Sequence, residues 1–207
     1  PSTTDVKYQV KIGGIQGATA DSGTLYNEGV VSNANPAIVA LADDPGNTNG
    51  WWSNLFVELD QTEQILNKGF IIEAESEVYV SVRMNSDGQQ YQAGALVSKG
   101  KSGLGTRFWA GMLQNQTALH VGFVSVMATE DQTVISYNFS KDINTIGGEK
   151  KVGIPLLVTL DKGESYILAS QEFQDGLIGT SITSTKPIVV NSGSASGSFE
   201  TSTGGQD

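Results

Sequence analysis

The sequence contains no cysteine, which excludes disulfide bonds, thiolate metal sites and cysteine nucleophiles. This absence argues against a secreted animal module, since such domains are commonly stapled by disulfides, but not against a large bacterial surface domain. Histidine is scarce too, with a single residue at position 120. His120 lies in an apolar run without a suitably spaced serine and acid, so we expect a hydrogen-bonded core residue rather than a catalytic one.

Positive charge is also scarce: 12 lysines and arginines against 22 acidic residues give a net charge of −10. This charge would repel a nucleic acid or an anionic membrane surface, and the short lysine pairs in the sequence are too small to overcome it. No apolar run approaches the roughly 20 residues that span a bilayer. Because the sequence begins at Pro1, we expect a processed or excised piece whose targeting signal has been removed.

What the sequence does contain is glycine, at 25 residues, and repeated alternation of apolar and polar side chains. Val6 to Ile12 places valine, tyrosine and isoleucine on one face and lysine and glutamine on the other. Val78 to Met84 alternates in the same way and runs into the hairpin turn signal at Asn85 to Gly88. Leu119 to Ala128 is apolar on both faces, which predicts a buried central strand. The sequence therefore predicts an all-β, antiparallel fold.

An internal repeat is predicted from two copies of the motif Gly-Thr-x-aromatic-x-x-Gly. The first copy spans Gly23 to Gly29, and the second opens the stretch Gly105 to Leu113. Two further pairs of segments match in the same order, namely Val57 to Asp60 with Val158 to Asp161, and Ile72 to Val80 with Ile182 to Val190. Shared alternation is the simpler alternative, but the common order and the common turn acids favour a duplication.

The boundary between the two copies is predicted at Ser98 to Gly105, which is rich in glycine, charged and without periodicity. The duplication predicts two related antiparallel β-sandwich halves of Greek-key or jelly-roll type. The first β repeat half is residues 1–100 and the second is residues 101–207, and we expect them either to form two units or to pack as one.

From Gly105 onward the sequence resembles a known family. Four stretches carry the resemblance: G-T-R-F-W-A-G-M-L-Q-N from Gly105, V-G-F-V-S-V-M-A-T-E-D-Q-T-V-I from Val121, L-D-K-G-E-S-Y-I-L from Leu160, and I-G-T-S-I-T-S-T-K-P-I-V-V-N-S-G-S from Ile178. They resemble the N-terminal domain of the IgG-Fc-binding protein family, which also occurs in large secreted proteins of Bacteroidota-like bacteria. The resemblance covers Gly105 to Ser194, is weaker over Gly23 to Val97 and is absent before Tyr8.

This resemblance implies an extracellular, modular, all-β region of a secreted or cell-surface protein. It places no IgG-binding motif on this sequence, so IgG binding does not transfer with the name. The expected function is non-enzymatic, in adhesion or in filament or surface-layer assembly. The expected partners are surface glycans, or further copies and modules of a surface protein through self-association. Family sequences continue past a segment like Gly205 to Asp207, so we expect a processed or excised edge there.

Three tryptophans, Trp51, Trp52 and Trp109, are the candidate ligand-binding residues, because an exposed indole can stack on a sugar ring. Adjacent strand residues point to opposite faces, so one of Trp51 and Trp52 is expected in the core and the other outward. The same reasoning applies to Phe108 and Trp109, and the sequence leaves open which of the two faces outward. The alternative function is therefore a carbohydrate-binding module, and the alternative role of each indole is core packing.

A glycine-rich loop supplies the candidate metal site. Asp43, Asp44, Asn47 and Asn49 crowd into this loop, and Ca²⁺ prefers such hard oxygen ligands. The spacing does not match an EF-hand, because Pro45 occupies a position where a ligand is expected. A plain turn without metal is the favoured alternative, and no cofactor besides Ca²⁺ is predicted.

Glu73, Glu75 and Glu77 alternate along one predicted strand. A glycosidase uses a pair of carboxylates, and a secreted hydrolase is the third function class. Residues at this spacing point to one side of a strand, so a solvated acidic face is the favoured interpretation.

Two segments fit the N-glycosylation pattern Asn-x-Ser/Thr. They begin at Asn115 and at Asn138, and the second lies inside a predicted strand. Both matches are expected to be incidental.

Overall fold

A computed structural model describes the chain over residues 5–13, 24–40, 57–85, 93–117, 120–173 and 176–195. Within these ranges the chain forms 14 β-strands and two short 3₁₀ helices. All pairings between these strands are antiparallel. Across the same ranges, no helix has the length and apolarity needed to cross a membrane. The predicted all-β fold of antiparallel sheets is confirmed.

Most of the strands are short. In chain order they are β1 Val6–Gly13, β2 Thr24–Val31, β3 Ile65–Leu66, β4 Gly69–Ala74, β5 Ser81–Asn85, β6 Ala93–Val97, β7 Gly105–Trp109, β8 Val121–Ala128, β9 Thr133–Asn138, β10 Ile143–Thr145, β11 Gly148–Lys150, β12 Leu156–Leu160, β13 Ser165–Ser170 and β14 Ser181–Ala195. The 3₁₀ helices are Leu59–Gln61 and Gly100–Gly103.

The largest sheet has seven strands in the order β12-β9-β14-β8-β13-β3, with β7 also paired to β14. Its organising strand is β14, which is 15 residues long. Residues 181–183 pair with β9 on one side and β7 on the other, whereas residues 188–195 pair with β8. The pairing with β7 shifts register between Thr183 and Ile188, beside Pro187, which has no N–H to donate to a ladder. One long strand thus joins the part of the sheet formed by β9 and β12 to the part formed by β8 and β13.

The core is built from the inward-facing side chains of β8, β9, β12, β13 and β14. Each of these strands contributes fully buried residues, among them Val126, Ile135, Leu160, Leu168 and Ile182. Strand β8 lies between β14 and β13, is buried on one face and half-buried on the other, and confirms the predicted central strand over its described residues. The rings of Tyr137 and Tyr166 meet in this core with their centroids 6.0 Å apart.

Three smaller sheets accompany the large one: β2-β1-β4, the hairpin β5-β6 and the hairpin β10-β11. In β1, Val6 and Val10 are buried and Lys7 is exposed, so the predicted alternation of this strand is confirmed. The hairpin β5-β6 pairs Ser81 with Val97 and follows the predicted arrangement on either side of the Asn-Ser-Asp-Gly signal.

The described residues do not confirm the internal repeat. Both Gly-Thr motifs lead into strands, β2 and β7, but the other matched pairs differ in structure. Leu59–Gln61 is a 3₁₀ helix, whereas Leu156–Leu160 is β12; residues 75–80 form no strand, whereas their match lies within β14. In addition, β3 pairs with β13, so a segment of the proposed first half extends the large sheet. The division at residue 100 stays a prediction.

Glu63 fastens the segment after the first 3₁₀ helix to the large sheet. Its N–H donates to the carbonyl of Ile167 (2.8 Å), and its carboxylate accepts from the N–H of Gly147 (2.9 Å). The same carboxylate pairs with Lys150 Nζ at 2.8 Å, and both side chains are largely buried. Glu63 adopts a φ of 60°, a left-handed conformation that a non-glycine residue holds only where its surroundings stabilise it.

Candidate functional site

Trp109 faces solvent at the end of β7, with 65% of its surface exposed. Its neighbour Phe108 turns inward, opposite the buried Ile182 of β14, and packs against the core. A Cβ added to Gly105 would come within 3.1 Å of the Phe108 ring, so glycine at this position leaves room for that ring. The alternation of side chains along β7 thus places Phe108 against the core and Trp109 in solvent.

Trp109 belongs to the outward side of the four strands β7, β14, β9 and β12. Directly opposed residues on antiparallel strands point to the same side, so the strand registers define rows across this surface. One row is Trp109, Ser181 and Asn138, and the next is Arg107, Thr183, Ser136 and Leu157. We call these seven residues the tryptophan face.

The two ends of the tryptophan face differ in chemistry. At one end Trp109 stands beside Arg107, which is exposed and whose side chain makes no hydrogen bond or ion pair with the described residues. At the other end Leu157 is 62% exposed. Between them lie half-buried serine and threonine hydroxyls, and three strand spacings set the width at about 14 Å. The face combines an aromatic-cationic end, a polar centre and an apolar end.

Strand β7 also offers an open edge, because among the described strands it pairs only with β14. The N–H of Ala110 donates to the carbonyl of Thr180 (2.9 Å), and the carbonyl of Ala110 accepts from the N–H of Gly179 (3.0 Å). Main-chain groups alternate in direction along a strand, so those of Arg107 and Trp109 point away from β14. The exposed side chains therefore stand beside main-chain donors and acceptors that another strand can use.

The remaining sequence-predicted site residues lie outside the described part of the chain. These are the candidate sugar-binding Trp51 and Trp52 and the candidate Ca²⁺ ligands Asp43, Asp44, Asn47 and Asn49. Where the chain is described, no group of three or more histidine, aspartate or glutamate side chains is placed to hold a metal ion. Both candidate sites stay predictions.

His120 is a core residue, as expected. It is 4% exposed, and its Nδ1 accepts a hydrogen bond from the N–H of Gln116 at 3.1 Å. The nearby Asn115 is 1% exposed and donates to the carbonyls of Ser170 and Glu172, both at 3.0 Å. The Asn115 glycosylation match is therefore inaccessible in the folded protein.

The acidic row Glu73, Glu75 and Glu77 is solvent-exposed, as the sequence indicates. Its first two members face lysines of β1: Glu73 Oε2 lies 2.7 Å from Lys11 Nζ, and Glu75 Oε1 lies 3.8 Å from Lys7 Nζ. These lysines neutralise the end of the row that lies beside β1.

The sequence singled out Trp109, but not the rows that join it to Asn138 and Leu157. Those rows depend on the registers between β7, β14, β9 and β12, strands that are distant in sequence. Arg107 is two residues from Trp109, and that spacing was the one available signal that both side chains share a face.

A family model described as IgGFc binding protein matches residues 93–207. No curated protein and no solved structure matches the chain. The matched span contains all four strands of the tryptophan face and is in accord with the resemblance that begins at Gly105. Because the match covers more than half of the 207 residues, the chain belongs to the IgGFc-binding protein family.

Proposed function

We propose that this chain is a non-enzymatic, extracellular module of a bacterial cell-surface protein, acting in adhesion or in filament or surface-layer assembly. Its contact surface in this proposal is the tryptophan face. Membership of a family described as a binding protein supports a binding role. The observation that carries the proposal is the exposure of Trp109, at 65%, beside Arg107, whose guanidinium has no partner within the part of the chain that the structure describes.

The physical argument rests on what a partner would gain there. A tryptophan buries about 150–250 Å² when it is fully covered, so covering the exposed part of Trp109 would contribute about 3 kcal/mol to binding. Tryptophan and arginine are also the residues that most often dominate the energetics of protein interfaces. The open edge of β7 adds main-chain hydrogen bonds to the same contact.

A carbohydrate-binding module is the second candidate function. It is favoured by the row that places Ser181 next to Trp109 and Asn138 one strand further along. Sugar sites combine an aromatic platform with a few convergent polar groups, and this row offers both. The predicted Ca²⁺ loop at Asp43, Asp44, Asn47 and Asn49 belongs to this candidate.

The test is a binding screen on the intact chain by biolayer interferometry, with IgG Fc, mucin-type glycans and the chain itself as immobilised probes. We expect at least one probe to bind, and Trp109→Ala to weaken that binding about tenfold or more, equivalent to about 1.4 kcal/mol. Phe173→Ala is the matched control, because Phe173 is 54% exposed outside the tryptophan face.

Glycan binding that depends on Trp109 would support the carbohydrate candidate. If that binding also requires Ca²⁺, a chelator would abolish it. Binding to a protein probe alone would support the adhesion or assembly role. If no probe binds, or if Trp109→Ala and Phe173→Ala lose affinity equally, the tryptophan face is not the contact surface.

A further inference from the structure

Residues 75–80 form an exposed segment between β4 and β5. They belong to no strand of their own, and the carbonyl of Val80 accepts from the N–H of Ser98 at 3.1 Å. Within the segment, Glu77 and Tyr79 are exposed, Tyr79 at 74%, while Val78 and Val80 are half-buried. The side chains of Glu77 and Tyr79 make no hydrogen bond or ion pair with the described residues. The segment thus presents a carboxylate and a phenol ring, two residues apart, to solvent.

This pair is the chemical complement of Arg107 and Trp109. Both pairs are exposed, both have a spacing of two residues, and the charge of one is opposite to that of the other. Because the chain carries a net charge of −10, the exposed guanidinium of Arg107, which has no partner among the described residues, is a group that attracts an acidic segment.

We propose that copies of this chain associate head to tail, with the Glu77–Tyr79 segment of one copy lying along the open edge of β7 in the next. This inference rests on the proposed function, because it uses the tryptophan face, and it names a second copy of the chain as the partner. Arg107 would pair with the partner's Glu77, and Trp109 would pack on the partner's Tyr79.

Strand geometry allows both contacts at once. Residues two apart in an extended chain are about 6.6 Å apart, so two parallel segments in register bring Arg107 to the carboxylate and Trp109 to the phenol ring together. Arginine can bind a carboxylate through two hydrogen bonds, and offset aromatic pairs attract each other beyond their buried area.

The two surfaces lie on different parts of the chain, so the contact is heterologous. Each copy that joins leaves one β7 edge and one acidic segment unoccupied, and association continues as a filament unless the ends meet in a ring. The assembly role in the proposed function would then be a property of the chain itself.

Charge reversal tests the pairing by sedimentation velocity over a concentration series. We expect the mass of the unaltered chain to rise from the 21.8 kDa monomer with concentration, and Arg107→Glu or Glu77→Lys to weaken association at least tenfold. The double variant R107E/E77K should restore it, because the reversed charges attract again. Lys101→Glu and Glu130→Lys reverse exposed charges elsewhere and should change little. Equal melting temperatures for all variants show that folding is intact.

Several results would overturn the inference: a monomer at every concentration, association that ignores the single reversals, or single reversals that the double variant does not rescue. A monomeric chain that still binds Fc or a glycan through Trp109 overturns head-to-tail association and leaves the proposed function standing. A monomeric chain that binds no probe overturns both.

Discussion

The three-stranded sheet and the tryptophan face both carry exposed charge, but the surroundings of that charge differ. In the three-stranded sheet Lys11 meets Glu73 at 2.7 Å, and the amide of Gln9 donates to the carboxylate of Glu28 at 3.2 Å. On the tryptophan face Arg107 has no such partner among the described residues. A partner docking on neutralised rows must first break existing contacts, whereas one docking at Arg107 adds a contact. The difference favours the tryptophan face as the binding surface.

The same two regions also differ in their interiors. The main core cluster is drawn from residues between Ala110 and Ile188, all of them within the family-matched span. The buried Val6 and Val10 of the three-stranded sheet are not members of that cluster. The strands that carry the tryptophan face therefore pack on the larger of the two cores, and this packing fixes their registers behind Trp109.

Removing core volume should produce the largest effect and should separate the two interiors. Leu168 is fully buried in the main cluster, so Leu168→Ala is expected to lower the free energy of unfolding by about 2–5 kcal/mol, from lost burial and the cavity left behind. Val10→Ala removes fewer atoms beneath the smaller sheet and should cost about 2 kcal/mol or less. Urea unfolding measures both, with the exposed Leu157→Ala as a control that should stay within about 0.5 kcal/mol. Equal losses at Leu168 and Val10 would contradict the distinction.

How far sequence alone could predict this fold depends on whether the signal is local. The strand at Val6–Gly13 follows from period-two alternation within one segment, and the central strand β8 follows from a run that is apolar on both faces. The match of Val57 to Asp60 with Val158 to Asp161 rests on similar letters but not on similar structure. In the first copy Leu59 begins a 3₁₀ helix, whereas in the second the matching Leu160 pairs with Thr133 of β9. Pairing with a distant strand produces this difference, and a four-residue sequence does not determine such pairing.

The candidate site shows the same limit. The indole of Trp109 could be nominated from composition, and the spacing from Arg107 could place both on one face. The row that joins Trp109 to Ser181 and Asn138 requires β14 to lie between β7 and β9. That order is non-sequential, so no local pattern contains it.

Alkaline pH should destabilise the main core cluster, which contains the two buried tyrosines, more than the three-stranded sheet. Burial, reinforced by the neighbouring Tyr166, raises the pKa of Tyr137 far above its ordinary value, and burial raises the pKa of Tyr166 to about 12. An unfolded tyrosine ionises near pH 10, so their contribution to stability is complete below about pH 10 and is lost as the pH rises toward 12 and beyond. The loss is up to about 1.4 kcal/mol per pH unit for each tyrosine.

Tyrosinate absorbance and unfolding, followed together, check this expectation. Tyr166→Phe should make the stability loss less steep, while the exposed Tyr79→Phe should leave it unchanged. Ionisation of all six tyrosines near pH 10 without unfolding would show that the Tyr137 and Tyr166 rings are not held in a dry core.

The contact between Glu63 and the large sheet should give an intermediate effect. Glu63 belongs to the segment that precedes β3 and β4. A Cβ on Gly147 would overlap the Glu63 carboxylate, so Gly147→Ala should displace it from Lys150 and cost about 1–3 kcal/mol. Gly111→Ala is the matched control, because a Cβ there meets nothing within 4 Å. In a double-mutant cycle by urea unfolding, Glu63→Ala should absorb most of the Gly147→Ala effect. Full additivity would mean that the two residues do not act through this contact.

The smallest effect is expected where charge is already paired at the surface. Lys11→Gln breaks the exposed pair with Glu73 and should change the free energy of unfolding by at most about 1 kcal/mol, since solvent screens both groups. It also leaves an unpaired carboxylate on the three-stranded sheet. If an unpaired charge alone were enough to make a contact surface, this variant would gain new association in sedimentation velocity. We expect none, because Glu73 lacks a neighbouring indole, whereas Arg107 has the exposed indole of Trp109 two residues away.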